Sequence, residues 1–233
     1  ANLAGHHIVM VDFSYNRTTL EAMAKDAASL VVLDHHITAE QALADLPYAY
    51  FDLNKSGAVL GWEWAHDEPA PWLLRYIQDK DLWQWALPNS REISAALASY
   101  PFDFELWTRF EQRELEREGR AILRYENELV TKLASHATLV EFEGATVPSV
   151  QSSVLTSQIG ERLSADHPFC VIWHDRNNRR YFSMRSREDG TDVGAIAASF
   201  GGGGHTHAAG FSVPLQPDGL LPANPRLPRP AAS

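Results

Sequence analysis

The chain has 233 residues, 45% of them hydrophobic, so it can bury a core in one large domain or two small ones, and we expect two. A formal charge of -10 argues against a protein that coats duplex nucleic acid with a broad basic face, because such binding depends on neutralised phosphates. Cys170 is the one cysteine, which excludes an internal disulfide framework and a thiolate zinc site. No apolar run approaches the roughly 18 to 20 residues that span a bilayer, and no leader pattern opens the chain. We therefore expect a soluble, cytoplasmic protein.

The first half of the chain alternates short apolar runs with segments of helical spacing. HHIVMVDF, SLVVLDHH and YAYFDLN predict strands, and TTLEAMAKDAA and QALADL between them predict helices. This alternation predicts an α/β domain with a doubly wound parallel sheet, whose functional groups gather at the carboxyl ends of the strands. The pattern turns helical from residue 56 to about residue 100. We assign residues 1–102 to this domain.

The second half predicts a connector, another α/β unit and a tail. Residues 103–135 carry charged helical stripes and predict a helical connector. Residues 136–215 predict a smaller C-terminal α/β domain, with TVPSVQ, FCVIWH, YFSMRS and AAGFSV as strands and helices over 152–164 and DVGAIAASF. Residues 216–233 are rich in proline and lack an apolar period, so we expect a disordered or loosely packed tail.

The strongest local signal is Asp34-His35-His36 at the end of an apolar strand. A carboxylate and two imidazoles are costly to bury there unless they bind something, and a metal ion is the natural ligand. For the histidine pair alone, a satisfied loop is an equal alternative. Asp12 shifts that balance, because it ends the preceding strand and neighbouring parallel strands lie about 4.8 Å apart. We expect these groups to face one crevice.

Two further carboxylates, Asp79 and Asp81, follow near the end of an apolar helical stretch in YIQDKDLW. Mixed carboxylate and imidazole ligands suit manganese, magnesium or zinc. Two such ions can clamp the attacking and leaving oxygens of a phosphoryl transfer.

The second signal is the glycine run in FGGGGHTHAAGF. Gly202, Gly203 and Gly204 allow close backbone approach and can aim successive N–H groups at an anion, with His205 as a further donor. A flexible linker is the alternative, but the run lies between an apolar helix and an apolar strand instead of between domains. Arg185 ends a nearby predicted strand, and its planar guanidinium matches phosphate oxygens.

Taken in this order, VDFS, VLDHH and GGGGHTHAAGF resemble the DHH phosphoesterase superfamily with its DHH-associated C-terminal domain, over about residues 7–213. That superfamily includes RecJ-type exonucleases, oligoribonucleases of the nanoRNase kind, cyclic-dinucleotide phosphodiesterases and exopolyphosphatase-like proteins. The resemblance implies a hydrolase that uses manganese, with magnesium or zinc as alternatives, in a two-ion site of the complete protein. It also implies a nucleotide or a short single-stranded oligonucleotide as substrate.

The resemblance also implies roles for the residues at the strand ends. Asp12 resembles a carboxylate that bridges two manganese ions, and His35 resembles an imidazole ligand. Asp34 resembles the residue that positions the site, and His36 resembles a contact to the substrate phosphate. We therefore expect Asp34, His35 and His36 to be catalytic.

For the last metal-binding aspartate the resemblance indicates Asp79, with Asp81 as the competing candidate. Arg185, the glycine run and His205 resemble the substrate clamp of the C-terminal domain.

The chain also departs from the pattern of the superfamily. That pattern begins with a strand followed by a histidine and paired aspartates, and nothing like it precedes Asp12. We expect a chain that is incomplete at its N-terminus or has lost half of the metal site, with weak or absent activity on its own.

Two other functions fit the same residues. One is a noncatalytic nucleotide-binding protein that keeps the glycine clamp, and the other is an exopolyphosphatase or pyrophosphatase. Base-stacking aromatic residues near the clamp would favour nucleotides, and Phe182 and Phe200 are the candidates, with core packing as the more ordinary role of each. No membrane partner is expected, and an oligomer is compatible with the sequence.

Overall fold

A computed structural model gives the fold, and it describes residues 2–224 and 226–231. The chain divides into two compact units, Ala1–Tyr125 and Glu126–Ser233. The division falls inside one long helix, where the sequence predicts the connector. No helix of the described residues is long and apolar enough to cross a membrane.

The N-terminal unit begins with three strands and two crossover helices. In chain order these are β1 (His7–Val11), α1 (Arg17–Asp26), β2 (Ser29–Asp34), α2 (Ile37–Leu43) and β3 (Ala49–Phe51). The strands form a parallel sheet in the order β1-β2-β3. One face of the sheet buries Leu30 and Val32 against Leu20 of α1 and Leu43 of α2. This packing confirms the predicted α/β class and the parallel sheet.

Helices make up the rest of this unit. They are α3 (Gly57–His66), α4 (Trp72–Asp81), α5 (Ser90–Ala98), α6 (Phe104–Trp107) and α7 (Gln112–Ala134). α3 packs on β1 and β2, and α4 packs on α3 and α5. A second core of Leu73, Tyr76, Ile93, Ala96 and Leu115 joins α4, α5 and the start of α7. The end of α4 is thereby fixed within the unit.

The C-terminal unit is a sheet with two short helices. Its elements are β4 (Thr138–Phe142), β5 (Ala145–Gln151), α8 (Thr156–Ser164), β6 (Cys170–Arg176), β7 (Arg179–Arg185), α9 (Val193–Ser199), β8 (Gly203–His205), β9 (Ala208–Pro214) and β10 (Arg229–Pro230). Among the described residues the strand order is β10-β4-β5-β6-β7-β9-β8, antiparallel except between β5 and β6. α8 packs on β6 and β7, and α9 packs on β8 and β9.

The proline-rich tail is where the structure corrects the sequence. Leu227 is 2% exposed in the core of the C-terminal unit, and β10 pairs with β4. The guanidinium of Arg226 donates to Glu143 and lies over the ring of Phe200. The expectation of a disordered or loosely packed tail is therefore wrong for this stretch. A single leucine and a short strand anchor it, and neither produces a period that the sequence would reveal.

Candidate metal and substrate site

The site in the N-terminal unit lies at the carboxyl ends of β1 and β2. The register pairs Val11 with Leu33, and the Asp12 N–H donates to the Leu33 carbonyl at 2.9 Å. Asp12 therefore follows one strand beside Asp34, the last residue of the next. Its φ of 62° lies in the left-handed region, which aspartate tolerates better than most side chains.

His35 lies beneath two carboxylates. It is 2% exposed, and its Nε2 lies 3.0 Å from Asp12 Oδ1 and 3.4 Å from Asp81 Oδ2. One ligand atom from each of these three residues lies within 4.8 Å of the others. Burial raises the pKa of Asp81, and the nearby Asp12 charge raises it further, although His35 opposes this. The chain thus brings two carboxylates and an imidazole to one point.

Asp34 organises the two histidines that follow it. It is 1% exposed, and its Oδ1 accepts the His35 N–H at 2.7 Å, the His36 N–H at 3.2 Å and His36 Nδ1 at 2.7 Å. Burial by itself would raise the pKa of Asp34, but these hydrogen bonds outweigh it and the pKa lies below its ordinary value. The same hydrogen bond to Asp34 raises the pKa of His36. Asp34 therefore acts through its neighbours, and one oxygen fixes the turn and the His36 ring together.

The two aspartates that the sequence leaves unresolved have different surroundings. Asp79 is 3% exposed, and its carboxylate accepts the N–H groups of Ala86 at 2.9 Å and Leu87 at 3.2 Å. Asp81 is the one whose carboxylate reaches His35. Of the two, Asp81 is the one placed to join Asp12 and His35, whereas the oxygens of Asp79 hold the loop after α4.

Arg185 lies in the C-terminal unit with only neutral hydrogen-bond partners. Its guanidinium donates to the Met184 carbonyl at 2.8 Å and to Ser157 Oγ at 3.0 Å. Among the described residues no carboxylate lies within ion-pair distance of it, and burial lowers its pKa. A Cβ on Gly160 would lie 2.3 Å from Arg185 Cγ, so α8 admits this side chain because residue 160 is glycine.

The glycine run is built differently from an open anion cradle. The Gly202 N–H donates to the Ala197 carbonyl at 2.9 Å and closes the end of α9. Gly203, Gly204 and His205 form β8, the edge strand of the sheet. A Cβ on Gly202 would lie 2.1 Å from the Gly210 carbonyl oxygen, so packing on β9 requires this glycine. The prediction that Gly202 aims its N–H at an anion is therefore wrong, whereas Gly203 and Gly204 stay candidates at the sheet edge.

Comparisons with known proteins identify relatives without assigning a function. No family model matches the chain. An uncharacterized protein of Acanthamoeba polyphaga mimivirus is 32% identical over 222 residues, which cover 88% of this chain and 53% of that protein. The chain thus spans about half the length of this curated relative.

Two solved structures share low similarity with the chain. A pGpG-specific phosphodiesterase of Vibrio cholerae is 14% identical with a TM-score of 0.40, over 87% of this chain and 84% of that one. An exopolyphosphatase-related protein of Bacteroides fragilis is 14% identical with a TM-score of 0.42, over 88% and 65%. At these scores the likeness assigns neither a family nor a function, so function has to be argued from the site.

The sequence does not single out one residue of the site, Gly57. It is the first residue of α3, and a Cβ there would lie 2.3 Å from Asp12 Cβ. Ser56 caps the helix by accepting the Val59 N–H, and its own N–H donates to Gln78 of α4. The bond to Gln78 attaches the start of α3 to the end of α4, and Gly57 lets the same helix start lie against Asp12. Only the Ser-Gly pair at a helix start could have signalled this in the sequence.

Proposed function

We propose that this protein is a metal-dependent phosphoesterase acting on phosphate esters of nucleotides or short oligonucleotides. The convergence of Asp12, His35 and Asp81 is the observation that carries the proposal. Their two carboxylate oxygens and one imidazole nitrogen fit manganese, with magnesium and zinc as alternatives. A divalent ion held there would supply Lewis-acid chemistry, polarising a phosphoryl oxygen and making water a better nucleophile at neutral pH.

The remaining residues of the site would orient the substrate. His36 is held at Nδ1 by Asp34, and its imidazolium form can donate from Nε2 to a phosphate oxygen. Hydrolysis adds one water molecule to phosphorus and breaks the ester P–O bond, and the leaving oxygen takes up a proton. Arg185 supports a substrate role in the C-terminal unit because its charge has only neutral partners there. A guanidinium of this kind suits phosphate oxygens.

Manganese binding tests the metal part of the proposal. Calorimetric titration of Mn²⁺ should show binding to the wild type and a loss of at least about ten-fold in Asp12→Asn, because removing a charged ligand weakens an ion site. Asp67→Asn is the matched control, since Asp67 is an exposed aspartate of the same unit at the end of α3. Equal affinities of the wild type and Asp12→Asn would reject the site.

Turnover separates the phosphoesterase from its rivals. A dinucleotide and tripolyphosphate should be incubated with the protein and Mn²⁺, with wild type and Asp12→Asn compared. Release of mononucleotide by the wild type alone supports the proposal. Phosphate release from tripolyphosphate instead would favour the exopolyphosphatase. Nucleotide binding without any turnover, even at high protein concentration, would favour the noncatalytic protein.

A further inference from the structure

The sheet of the C-terminal unit has one face that its helices leave partly open. Residues paired across antiparallel strands direct their side chains to the same face, so the register defines rows on it. The first row contains Arg185, Ala208 and His205; the second contains Ser183, Gly210 and Gly203; the third contains His174, Tyr181 and Ser212. α8 covers the part of this face where Arg185, Cys170 and Ile172 lie on β6 and β7. We call the rest of this face, which holds the third row and the residues of β8 and β9, the open face.

The opposite face contains the aromatic residues that the sequence suggested for base stacking. Phe182 is 3% exposed, and its ring centroid lies 4.9 Å from that of Phe211. Phe200 stacks on Phe211 at 4.4 Å, and Arg226 lies 4.4 Å from the centroid of Phe200. These rings pack the core and the tail, as core packing would predict. A base-stacking role therefore has to be sought elsewhere.

A cavity of about 460 Å³ is lined by residues of both faces of the sheet. The open face contributes Ser183, Ser212, Gly210, His174 and Tyr181, and Phe182, Phe200 and Phe211 of the opposite face also belong to the lining. The rings of His174 and Tyr181 are nearly parallel, with an interplanar angle of 9° and centroids 5.3 Å apart, and both are partly exposed. A cavity of this size is within the range of small-molecule sites, roughly 300 to 1,000 Å³.

We propose that His174 and Tyr181 form a nucleobase subsite, which makes a nucleotide, and not inorganic polyphosphate, the ligand of this unit. This inference rests on the proposed function, because it takes Arg185 as the phosphate contact. The second row, with its two glycines, lies between the first row with Arg185 and the third row with the aromatic rings. Two residues along a strand span about 7 Å, so the second row lies about 7 Å from each of the others. Gly203 and Gly210 have no side chains, so they add no bulk to the row between the two ends.

The chemistry of the third row favours a base. A flat aromatic ring gains from stacking on another, and single bases stacked on protein rings contribute about 1 to 3 kcal/mol. A polyphosphate chain has no such surface and gains nothing from two aromatic rings. Ser183 and Ser212 add hydroxyl groups that can bond to a base or a sugar. The Arg179 guanidinium donates to the Ser212 carbonyl at 2.9 Å and to Ser212 Oγ, and these bonds hold this end of the cavity in place.

Calorimetric titration of 5′-AMP and of tripolyphosphate into three variants tests the subsite. Tyr181→Leu removes the ring, Tyr181→Phe keeps it, and Tyr125→Leu is the matched control at an exposed tyrosine of α7. We expect Tyr181→Leu to weaken 5′-AMP binding by about five- to hundred-fold, the range that stacking energies give at 1.4 kcal/mol per factor of ten. Tyr181→Phe and Tyr125→Leu should bind 5′-AMP like the wild type, and tripolyphosphate affinity should not change in any of them.

Arg185→Ala distinguishes the subsite from the clamp on which it rests. If Arg185→Ala weakens 5′-AMP binding and Tyr181→Leu does not, the clamp stands and the base subsite is rejected. If tripolyphosphate binds to the wild type and 5′-AMP does not, the base subsite is rejected and the ligand of this unit is a polyphosphate. Binding of neither ligand to the wild type overturns the clamp and the subsite together. Thermal melting of each variant shows whether a loss of affinity reflects unfolding instead.

Discussion

Replacing Gly57 with alanine should weaken Mn²⁺ binding strongly while lowering the free energy of unfolding only slightly. A Cβ at residue 57 would lie 2.3 Å from Asp12 Cβ, 2.6 Å from its Cγ and 2.7 Å from its Oδ1. Nonbonded carbons approach to about 3.5 to 4.0 Å, so the new methyl group overlaps Asp12 by more than an ångström. Either α3 or Asp12 has to move. If Asp12 moves, its carboxylate is displaced from His35.

The size of each effect follows from the atoms that overlap. Overpacking a core costs about 1 to 3 kcal/mol, and here the backbone has to shift, because rotation of the Asp12 side chain leaves its Cβ in place. Alanine also favours a helix interior by roughly 1 kcal/mol over glycine, which offsets part of the cost at this helix start. We expect the free energy of unfolding to fall by at most about 2 kcal/mol. Displacing the carboxylate should weaken Mn²⁺ binding by about 10- to 100-fold, as loss of ligand positioning does elsewhere.

Gly61→Ala is the matched control for this prediction. Gly61 lies one turn later in α3, and a Cβ there would approach the side chain of Val11, with Cγ1 at 3.1 Å and Cγ2 at 3.7 Å. Mn²⁺ titration and urea unfolding of both variants separate the two quantities. Wild-type Mn²⁺ affinity in Gly57→Ala would refute the contact, and an equal loss of affinity in Gly61→Ala would trace the effect to the helix as a whole.

Two further predictions concern buried groups. Asp79→Asn should lower the free energy of unfolding by about 1 to 3 kcal/mol, because its amide turns an N–H donor toward a backbone N–H, and it should leave Mn²⁺ affinity near that of the wild type. Asp81→Asn should weaken Mn²⁺ binding and leave the free energy of unfolding near that of the wild type. Urea unfolding and calorimetry measure the two quantities. Cys170 should resist alkylation by iodoacetamide at pH 8 until the protein is unfolded, because burial raises the pKa of its thiol to about 12; rapid modification of the native protein, seen by mass spectrometry, would contradict this.

The sequence predicts the position of the cluster of Asp12, His35 and Asp81 better than its membership. Asp12 and Asp34 could be placed together because both end apolar strands, and parallel neighbours bring their carboxyl ends to one edge. Asp79 and Asp81 could not be separated in the same way. At 3.6 residues per turn, two positions on a helix differ by about 200°, so the pair faces nearly opposite sides. Which side faces His35 depends on how α4 packs, and this is a tertiary property.

The aromatic residues show the same limit on the other sheet. Phe182 and Tyr181 are adjacent in β7, so they lie on opposite faces, and the alternation alone does not say which face the helix α9 covers. Phe182 enters the core with Phe211, whereas Tyr181 is left beside His174. The register with β6 and β9 decides this, and it becomes visible only when the strands are paired.

The convergence at His35 is difficult to explain by stability. Asp12 and Asp81 are both partly exposed, and ion pairs of exposed groups contribute about 0 to 1 kcal/mol. A raised pKa means that ionised Asp81 is less favourable in the folded chain than in the unfolded one, so at neutral pH its charge opposes folding. Asp34 shows the contrary sign, because its lowered pKa makes its charge favour the folded state. The charge of Asp34, which holds the histidines, therefore favours folding, whereas the charge of Asp81, next to His35, opposes it. A cation bound between Asp12 and Asp81 would compensate both the burial of the Asp81 charge and its repulsion by Asp12, which is the physical reason to regard the cluster as a candidate metal site.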